Sequence, residues 1–240
     1  MEIRIFDTQP QLNQAFTDWL KEIARNKDCV NIALSGGSTP KSLFDEWSMN
    51  HRDDIDWDRI RFFWGDERCV PPDDEQSNYR MTREHLFDKQ SIPENHIFRI
   101  HGEDDPDAEA QRYAEVLRNE LPIVAGVPVF DVVMLGMGDD GHTASIFPDQ
   151  LSLWNSDQLC VVGTHPQSGQ KRVSLTGKVI NHAQYVALLV TGENKAEKVV
   201  EIIENPQEAA KKYPAAQVQP ESGNLVWFLD RTAAQKLTKQ

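Results

Sequence analysis

The chain has 240 residues, of which 39% are hydrophobic and 26% charged, as in ordinary soluble globular proteins. Its formal net charge of −13 argues against a nucleic-acid or anionic-membrane partner, because both require a basic patch. No apolar run approaches the roughly 20 residues that cross a bilayer, and the N-terminal segment lacks a signal-peptide pattern. The cysteines and histidines form neither a disulfide framework nor a metal motif. We therefore expect a cytoplasmic protein without metal, as a monomer or weak homo-oligomer.

Apolar periodicity predicts strands alternating with helices from end to end. In chain order, the predicted elements are a strand at 3–6, a helix capped by Thr8, a strand at 29–34, a helix at 41–48, a strand at 59–65, helices at 77–87 and 107–121, strands at 129–136 and 159–163, a short strand after Arg172, a strand at 186–190, a charged and exposed helix at 193–204, and a strand at 225–229. Such alternation predicts one α/β domain over 1–240, with a mostly parallel, Rossmann-like sheet flanked by helices on both faces.

Ligands of such folds bind beyond the carboxyl ends of the strands, which directs attention to three loops. The first loop consists of Ser35, Gly36, Gly37, Ser38 and Thr39. It joins a buried strand to a helix expected to begin near Pro40. Glycines permit close backbone approach, and the helix N-terminus and hydroxyl groups offer donors to an anion. This composition favours phosphate binding; the alternative is a strand-to-helix turn with a serine or threonine cap.

Positive charge for an anionic ligand has to be supplied locally in so acidic a protein. In the second loop, Arg68 follows the strand at 59–65 and has the bidentate geometry that phosphate prefers. The alternative is an ion pair with its acidic neighbours Asp66 and Glu67. Downstream, Arg172 precedes a short strand and Lys195 begins a helix. Each is alone more typical of a solvated charge, but together with Arg68 they would supply the local field.

The third loop, "LGMGDDGH", carries glycines at 136, 138 and 141 in dinucleotide-binding spacing. Asp139 and Asp140 would lie beside the pyrophosphate and repel it, at a cost of about 1 kcal/mol each in a partly desolvated site. The motif also lies in mid-chain, without a clear acidic residue about 20 positions later. A turn that carries catalytic residues therefore explains the glycines better than a cofactor loop.

Asp140-Gly141-His142 is suited to acid–base chemistry. Histidine exchanges protons near neutral pH, and a neighbouring carboxylate orients the ring and stabilises its cation. The alternative is a surface histidine in an acidic turn. His142 directly follows the most strongly apolar strand, where ligands of this fold class bind, which favours a functional role.

Together these loops resemble the 6-phosphogluconolactonase family, within the glucosamine-6-phosphate isomerase/deaminase-like group. The matching stretches, in the family's order, are "ALSGGSTP", "WGDERCVP…SNY", "LGMGDDGHTASIFP", "RVSLT" and "TGENKA". The resemblance implies a sugar-phosphate fold without a nucleotide cofactor, and hydrolysis of 6-phospho-D-glucono-1,5-lactone in the oxidative pentose phosphate pathway. It implies a catalytic role for His142, assisted by Asp140. It also implies phosphate contacts from the 35–39 loop, Arg68, Arg172 and Lys195.

Two alternatives remain beside the lactonase. The deaminases of the same group carry a glutamate shortly after the histidine and a tyrosine after Asp-Glu, whereas this chain has Phe147 and Arg68 there. A non-catalytic sugar-phosphate binder would keep the anion loop without needing the Asp140–His142 pair. A serine acyl-enzyme is disfavoured, because neither Ser35 nor Ser145 lies in a G-x-S-x-G elbow.

Overall fold

The structure is a computed structural model that describes residues 1–238. Its strands are, in chain order, β1 (Glu2–Phe6), β2 (Val30–Leu34), β3 (Ile60–Trp64), β4 (Asp66–Arg68), β5 (Ile123–Val124), β6 (Val127–Pro128), β7 (Val132–Leu135), β8 (Cys160–Thr164), β9 (Lys171–Leu175), β10 (Tyr185–Val190) and β11 (Leu225–Asp230). Its α-helices are α1 (Gln9–Ala24), α2 (Ser38–Asn50), α3 (Asn78–His85), α4 (Pro106–Glu120), α5 (Gly177–Ile180), α6 (Ala196–Glu204), α7 (Pro206–Ala209) and α8 (Arg231–Ala234).

A six-stranded parallel sheet forms the centre of the molecule, in the order β1-β11-β10-β7-β2-β3. Every residue of β2 and of β7 is buried. Since successive side chains of a strand point to opposite faces, both faces of the sheet are covered there. The predicted α/β class with a mostly parallel sheet and flanking helices is therefore confirmed.

Helix α1 shows how the sequence directs this packing. Thr8 Oγ1 accepts the Gln11 backbone N–H, and the Gln11 side chain accepts the Thr8 N–H in return, so both donors at the helix start are satisfied. The apolar stripe of the helix then packs on the sheet. The rings of Phe16 and Trp19 lie 5.5 and 5.6 Å from the ring of Phe228 on β11.

A second, three-stranded antiparallel sheet, in the order β4-β9-β8, corrects the prediction that 66–68 is loop. Asp66, Glu67 and Arg68 form β4, whose register pairs Arg68 with Arg172 on β9. The segment was mistaken for a loop because three charged residues do not resemble a strand. Their backbone nevertheless pairs with a partner about a hundred residues away in sequence. The predicted strand at 159–163 exists as β8, but in this small sheet.

Smaller differences concern element ends. Helix α2 begins at Ser38 rather than near Pro40. The predicted helix at 193–204 begins with a 3₁₀ turn at Glu193–Lys195, and α6 buries Val199 and Ile202, so it is amphipathic rather than exposed. Within residues 1–238, no helix is long and apolar enough to cross a membrane. The last two residues of the predicted 1–240 domain, Lys239 and Gln240, lie outside the described residues.

Candidate active site

One cleft opens at the carboxyl edge of the central sheet, where the small sheet meets it. Nine of the ten predicted site residues line this cleft: Ser35, Gly36, Gly37, Ser38, Thr39, Arg68, His142, Arg172 and Lys195. The tenth, Asp140, contacts His142 without lining the cleft. Parallel register explains the convergence. Leu34 pairs with Trp64, and Ala33 with Val133, so the loops after these strands leave the same edge.

His142 and Asp140 form a hydrogen-bonded pair. His142 Nδ1 lies 2.6 Å from Asp140 Oδ1, and the same oxygen accepts the His142 backbone N–H at 3.0 Å. Burial opposes the ionisation of Asp140, but the hydrogen bond and charge of His142 outweigh it and lower the pKa of the carboxyl to about 2. Asp140 is therefore a carboxylate at neutral pH. Because Nδ1 faces this carboxylate, Nε2 is the ring nitrogen left to exchange a proton with a ligand.

A buried aromatic ring supports the pair from behind. Phe147 is fully buried, and its ring centroid lies 4.7 Å from that of His142. The guanidinium carbon of Arg172 lies 5.6 Å from the same centroid, and the ring of His165 packs edge-on at 5.3 Å. Phe147 thus holds the imidazole and one cleft cation in a fixed relation to each other.

Two of the three glycines of the third loop, Gly138 and Gly141, are required by the local geometry. A β-carbon on Gly138 would lie 2.1 Å from His142 Nδ1 and 2.7 Å from Asp140 Oδ1, so only glycine lets the imidazole lie against the backbone. Gly141 has a φ of +86°, in the left-handed region that glycine readily adopts. The second and third glycines of the fingerprint-like spacing are therefore explained by the turn that carries Asp140 and His142.

Arg68 and Arg172 lie side by side without ion-pair partners. Within residues 1–238, neither guanidinium lies within 4.0 Å of a carboxylate oxygen; Arg68 Nη1 donates instead to the Gln76 carbonyl at 2.7 Å, and Arg172 Nε to Gln170 Oε1 at 3.3 Å. The Arg68 Nε is buried and has no hydrogen-bond partner among the residues that the structure describes. Burial and the adjacent charge of Arg68 lower the pKa of Arg172. The alternative in which Arg68 pairs with its acidic neighbours is therefore not found, and the two cations remain available to an anion.

The 35–39 loop presents backbone N–H groups to the cleft. Gly37 precedes α2 with a φ of +107°, and no side chain caps this helix, so its first N–H groups are left for a ligand. Gly36 packs on Asn78, whose Oδ1 would lie 1.9 Å from an added β-carbon. The Thr39 hydroxyl shares a 2.8 Å hydrogen bond with that of Thr191, which ties the loop to the end of β10. The loop therefore lies at the cleft with the uncapped N-terminus of α2, a place where backbone N–H groups can bind an anion.

Lys195 reaches the cleft from the 3₁₀ turn that precedes α6. Unlike the two arginines, it has an ion-pair partner, Asp139, on the same loop as Asp140 and His142. The Asn194 side-chain amide donates to the same Asp139 oxygen at 2.8 Å. Lys195 therefore lies at the cleft as predicted, but Asp139 neutralises its charge. The sequence analysis considered Asp139 only as a residue that would repel pyrophosphate.

Glu67 fastens β4 to the N-terminus of α3. It is 2% exposed, and its oxygens accept the backbone N–H groups of Arg68, Asn78 and Tyr79 and the Ser77 hydroxyl. Burial raises the pKa of Glu67 to about 7 against these donors. Since Arg68 follows directly, this buried carboxyl fixes the strand from which the cleft arginine projects.

Three further polar side chains line the cleft that the sequence analysis did not assign to it: Asp66, Asn78 and Thr191. Asp66 is 5% exposed and accepts the Ser145 hydroxyl at 2.5 Å; Ser145 in turn donates its backbone N–H to the Ser174 hydroxyl at 3.1 Å. These bonds join the histidine loop to the small sheet. Thr191 follows β10 directly, so the strand-end rule would have found it. The sequence carries no comparable signal for Asn78.

The chain is therefore an α/β protein with a histidine–carboxylate pair and two arginines beside one cleft, at the carboxyl edge of a parallel sheet. The model of the family described as "Glucosamine-6-phosphate isomerases/6-phosphogluconolactonase" matches residues 7–227, and the chain belongs to this family. It is 46% identical to the 6-phosphogluconolactonase of Treponema pallidum (strain Nichols) over 182 residues, or 76% of each chain. It is 44% identical to that of Haemophilus influenzae over 209 residues, which cover 87% of this chain and 88% of the relative. A crystal structure of "devB protein" matches with a TM-score of 0.94 and 42% identity, over 99% of each chain.

Proposed function

We propose that the protein hydrolyses 6-phospho-D-glucono-1,5-lactone to 6-phosphogluconate, the reaction for which its relatives from Treponema and Haemophilus are named. One observation carries the proposal for this chain. His142, whose Nδ1 lies 2.6 Å from Asp140 Oδ1, lines the same cleft as two arginines that have no carboxylate partner within residues 1–238. A proton acceptor and an anion site in one cleft are what hydrolysis of a phosphorylated ester requires.

The mechanism begins with attack of water on the lactone carbonyl carbon, C1. Neutral His142 accepts a proton at Nε2 as the water oxygen bonds to C1, and Asp140 stabilises the imidazolium that forms. The tetrahedral intermediate then collapses with cleavage of the bond from C1 to the ring oxygen. His142 returns its proton to that oxygen, so the ring opens to a hydroxyl and a carboxylic acid, which ionises in water. Direct attack by water suits this site, because Ser145 is fully buried and donates to Asp66.

The substrate carries its phosphate on C6, at the far end of the molecule from the carbonyl carbon C1, so the phosphate requires a binding site of its own in the cleft. Arg68, Arg172 and Lys195 supply positive charge, and the 35–39 loop supplies N–H donors at the start of α2. The Arg68 Nε, buried and unpaired, is the donor with most to gain from an anionic acceptor.

The nature of residue 147 favours the lactonase over a deaminase. The deaminases of the group use a glutamate there, whereas Phe147 is fully buried and its ring lies 4.7 Å from His142. This side chain places no carboxylate near a substrate. A non-catalytic binder is disfavoured for a different reason: it would not require a carboxylate bonded to the imidazole.

Two parallel assays test the proposal. Purified protein is expected to accelerate opening of the phosphorylated lactone above the spontaneous rate, which must be subtracted, and to release no ammonia from glucosamine 6-phosphate. Ammonia release would favour the deaminase. Tight binding of both sugar phosphates without turnover of either would favour the non-catalytic binder.

Gly138→Ala tests the packing that holds the catalytic pair. Because the added methyl group would overlap His142 Nδ1, we expect the imidazole to move by on the order of 1 Å and kcat for the lactone to fall by about 100-fold, with the fold retained. Gly136→Ala is the matched control, since its β-carbon would come no closer than 3.9 Å to Ser35 Oγ. Equal rates for the two variants would show that the contact at Gly138 does not position His142.

We also propose that the protein is cytoplasmic and that it is a monomer or a weak homo-oligomer. The three cysteines are free thiols, as expected of a cytoplasmic protein. Light scattering on the purified protein tests the expectation of a monomer or a weak homo-oligomer.

A further inference from the structure

The ion pair between Lys195 and Asp139 sets one cleft cation apart from the other two. Asp139 Oδ1 accepts hydrogen bonds from both Lys195 Nζ and the Asn194 amide. The hydrogen bond from Lys195 lowers the pKa of Asp139, so its carboxylate is charged at neutral pH. Within residues 1–238, Arg68 and Arg172 have no such partner. The cleft therefore contains two unpaired guanidinium groups and one ammonium that already holds an anion.

We propose that Asp139 weakens phosphate binding in the cleft, because it competes with the substrate's phosphate for Lys195. Phosphate binding is then an exchange in which Lys195 gives up, or shares, its bond to the carboxylate. This inference rests on the proposed function, in which Lys195 contacts phosphate. It assigns to Asp139 a role opposite to that of its neighbour Asp140, which assists the chemistry.

Exposure indicates why Asp139 opposes the phosphate rather than positioning Lys195 for it. The Asp139 side chain is 65% exposed and the Lys195 side chain 19%. Asp139 is thus a solvated anion at the rim, whereas Lys195 is largely enclosed and is held from behind by its own turn. That turn is anchored independently, because the Gly192 N–H donates to Asp230 at 3.1 Å. Loss of the carboxylate would leave the ammonium near its place with its charge uncovered.

The expected size of the effect follows from the ion pair that the phosphate displaces. Giving up a partly exposed ion pair weakens phosphate binding by up to about fivefold. Asp139 therefore lowers affinity for any phosphate in the cleft, including that of the product, and favours product release.

The test is calorimetric titration of 6-phosphogluconate and of inorganic phosphate, at constant ionic strength, into the wild-type protein and three variants. Asp139→Asn is expected to bind both ligands about three- to fivefold more tightly than wild type. Lys195→Met is expected to bind them more weakly. The double variant should bind at most twofold more tightly than Lys195→Met, because the ammonium group for which the carboxylate and the phosphate compete is absent.

Glu193→Gln is the matched control. It removes one negative charge from the same turn, and no side-chain bond of Glu193 is found within residues 1–238. A gain equal to that of Asp139→Asn would attribute the effect to net charge and overturn the proposal. So would unchanged or weaker binding by Asp139→Asn, or a full gain in the Lys195→Met background.

The outcomes separate this inference from the proposed function, because the titrations need no turnover. If the wild-type protein opens no lactone but Asp139→Asn still tightens phosphate binding through Lys195, the proposed reaction fails and the competition stands. If the lactone is hydrolysed and binding is insensitive to Asp139, the reaction stands and the competition fails.

Discussion

Replacing His142 with alanine is expected to lower kcat for the lactone by about 100-fold or more, the usual contribution of a general base. The substitution removes Nε2, the proton acceptor, and leaves the cations of the cleft in place. KM should therefore change little, and the thermal midpoint should stay close to that of wild type, because the ring is only partly buried. Initial-rate measurements with the spontaneous reaction subtracted, together with a melting curve, check both parts.

Asp140→Asn is expected to lower kcat for the lactone as well. The amide keeps the shape of the carboxylate but cannot stabilise an imidazolium by charge, so we expect a loss smaller than that of His142→Ala. Combining the two substitutions should cost little more than His142→Ala alone, because Asp140 acts through the histidine. Near-wild-type turnover by His142→Ala would show that His142 is not the base. If the double variant lost the sum of the two single losses in activation free energy, Asp140 would act independently of His142.

Replacing Arg172 with alanine is expected to raise KM for the phosphorylated lactone by about 10- to 100-fold, since a hydrogen bond to a charged group is worth about 1.5–3 kcal/mol. KM for an unphosphorylated lactone should change little in this variant, because that lactone has no anionic group for Arg172 to bind. Steady-state kinetics on the two lactones measure the difference directly. Arg172→Lys should fall between wild type and alanine, since lysine keeps the charge without the planar fork.

Two observations would contradict the phosphate assignment of Arg172. Equal losses on both lactones would indicate that the substitution acts through Phe147 and the imidazole, because the guanidinium lies over the same ring as His142. A comparable rise in KM for Arg25→Ala, which removes a positive charge from the exposed end of α1, would attribute the effect to net charge.

The site could be predicted largely because the fold class was predictable. Buried apolar runs such as the one ending at Leu135 identify parallel strands, and all such strands place their carboxyl ends at one edge. His142 was located by that rule together with its acidic neighbour, and Arg68 by its position after Trp64. The family resemblance then indicated which polar residues at this edge act together.

What could not be predicted depends on contacts between distant parts of the chain. Pairing of Arg68 with Arg172 requires an antiparallel sheet that the charged sequence of β4 does not suggest. The pair formed by Asp139 and Lys195 joins residues 56 apart in sequence, and neither residue indicates the other. Local patterns report burial and turns, whereas these partnerships are decided by how two sheets pack.

Each of the two sheets carries part of the site, so the distance between His142 and the two arginines depends on how the sheets pack. His142 is carried by the loop after β7 of the parallel sheet, whereas Arg68 and Arg172 project from the small antiparallel sheet. Ser145 fixes the spacing between them through its bonds to Asp66 and Ser174. If His142 acts at the electrophilic carbon and the two arginines bind the anionic group, as proposed, the spacing that Ser145 fixes would favour ligands in which those two groups lie one set distance apart.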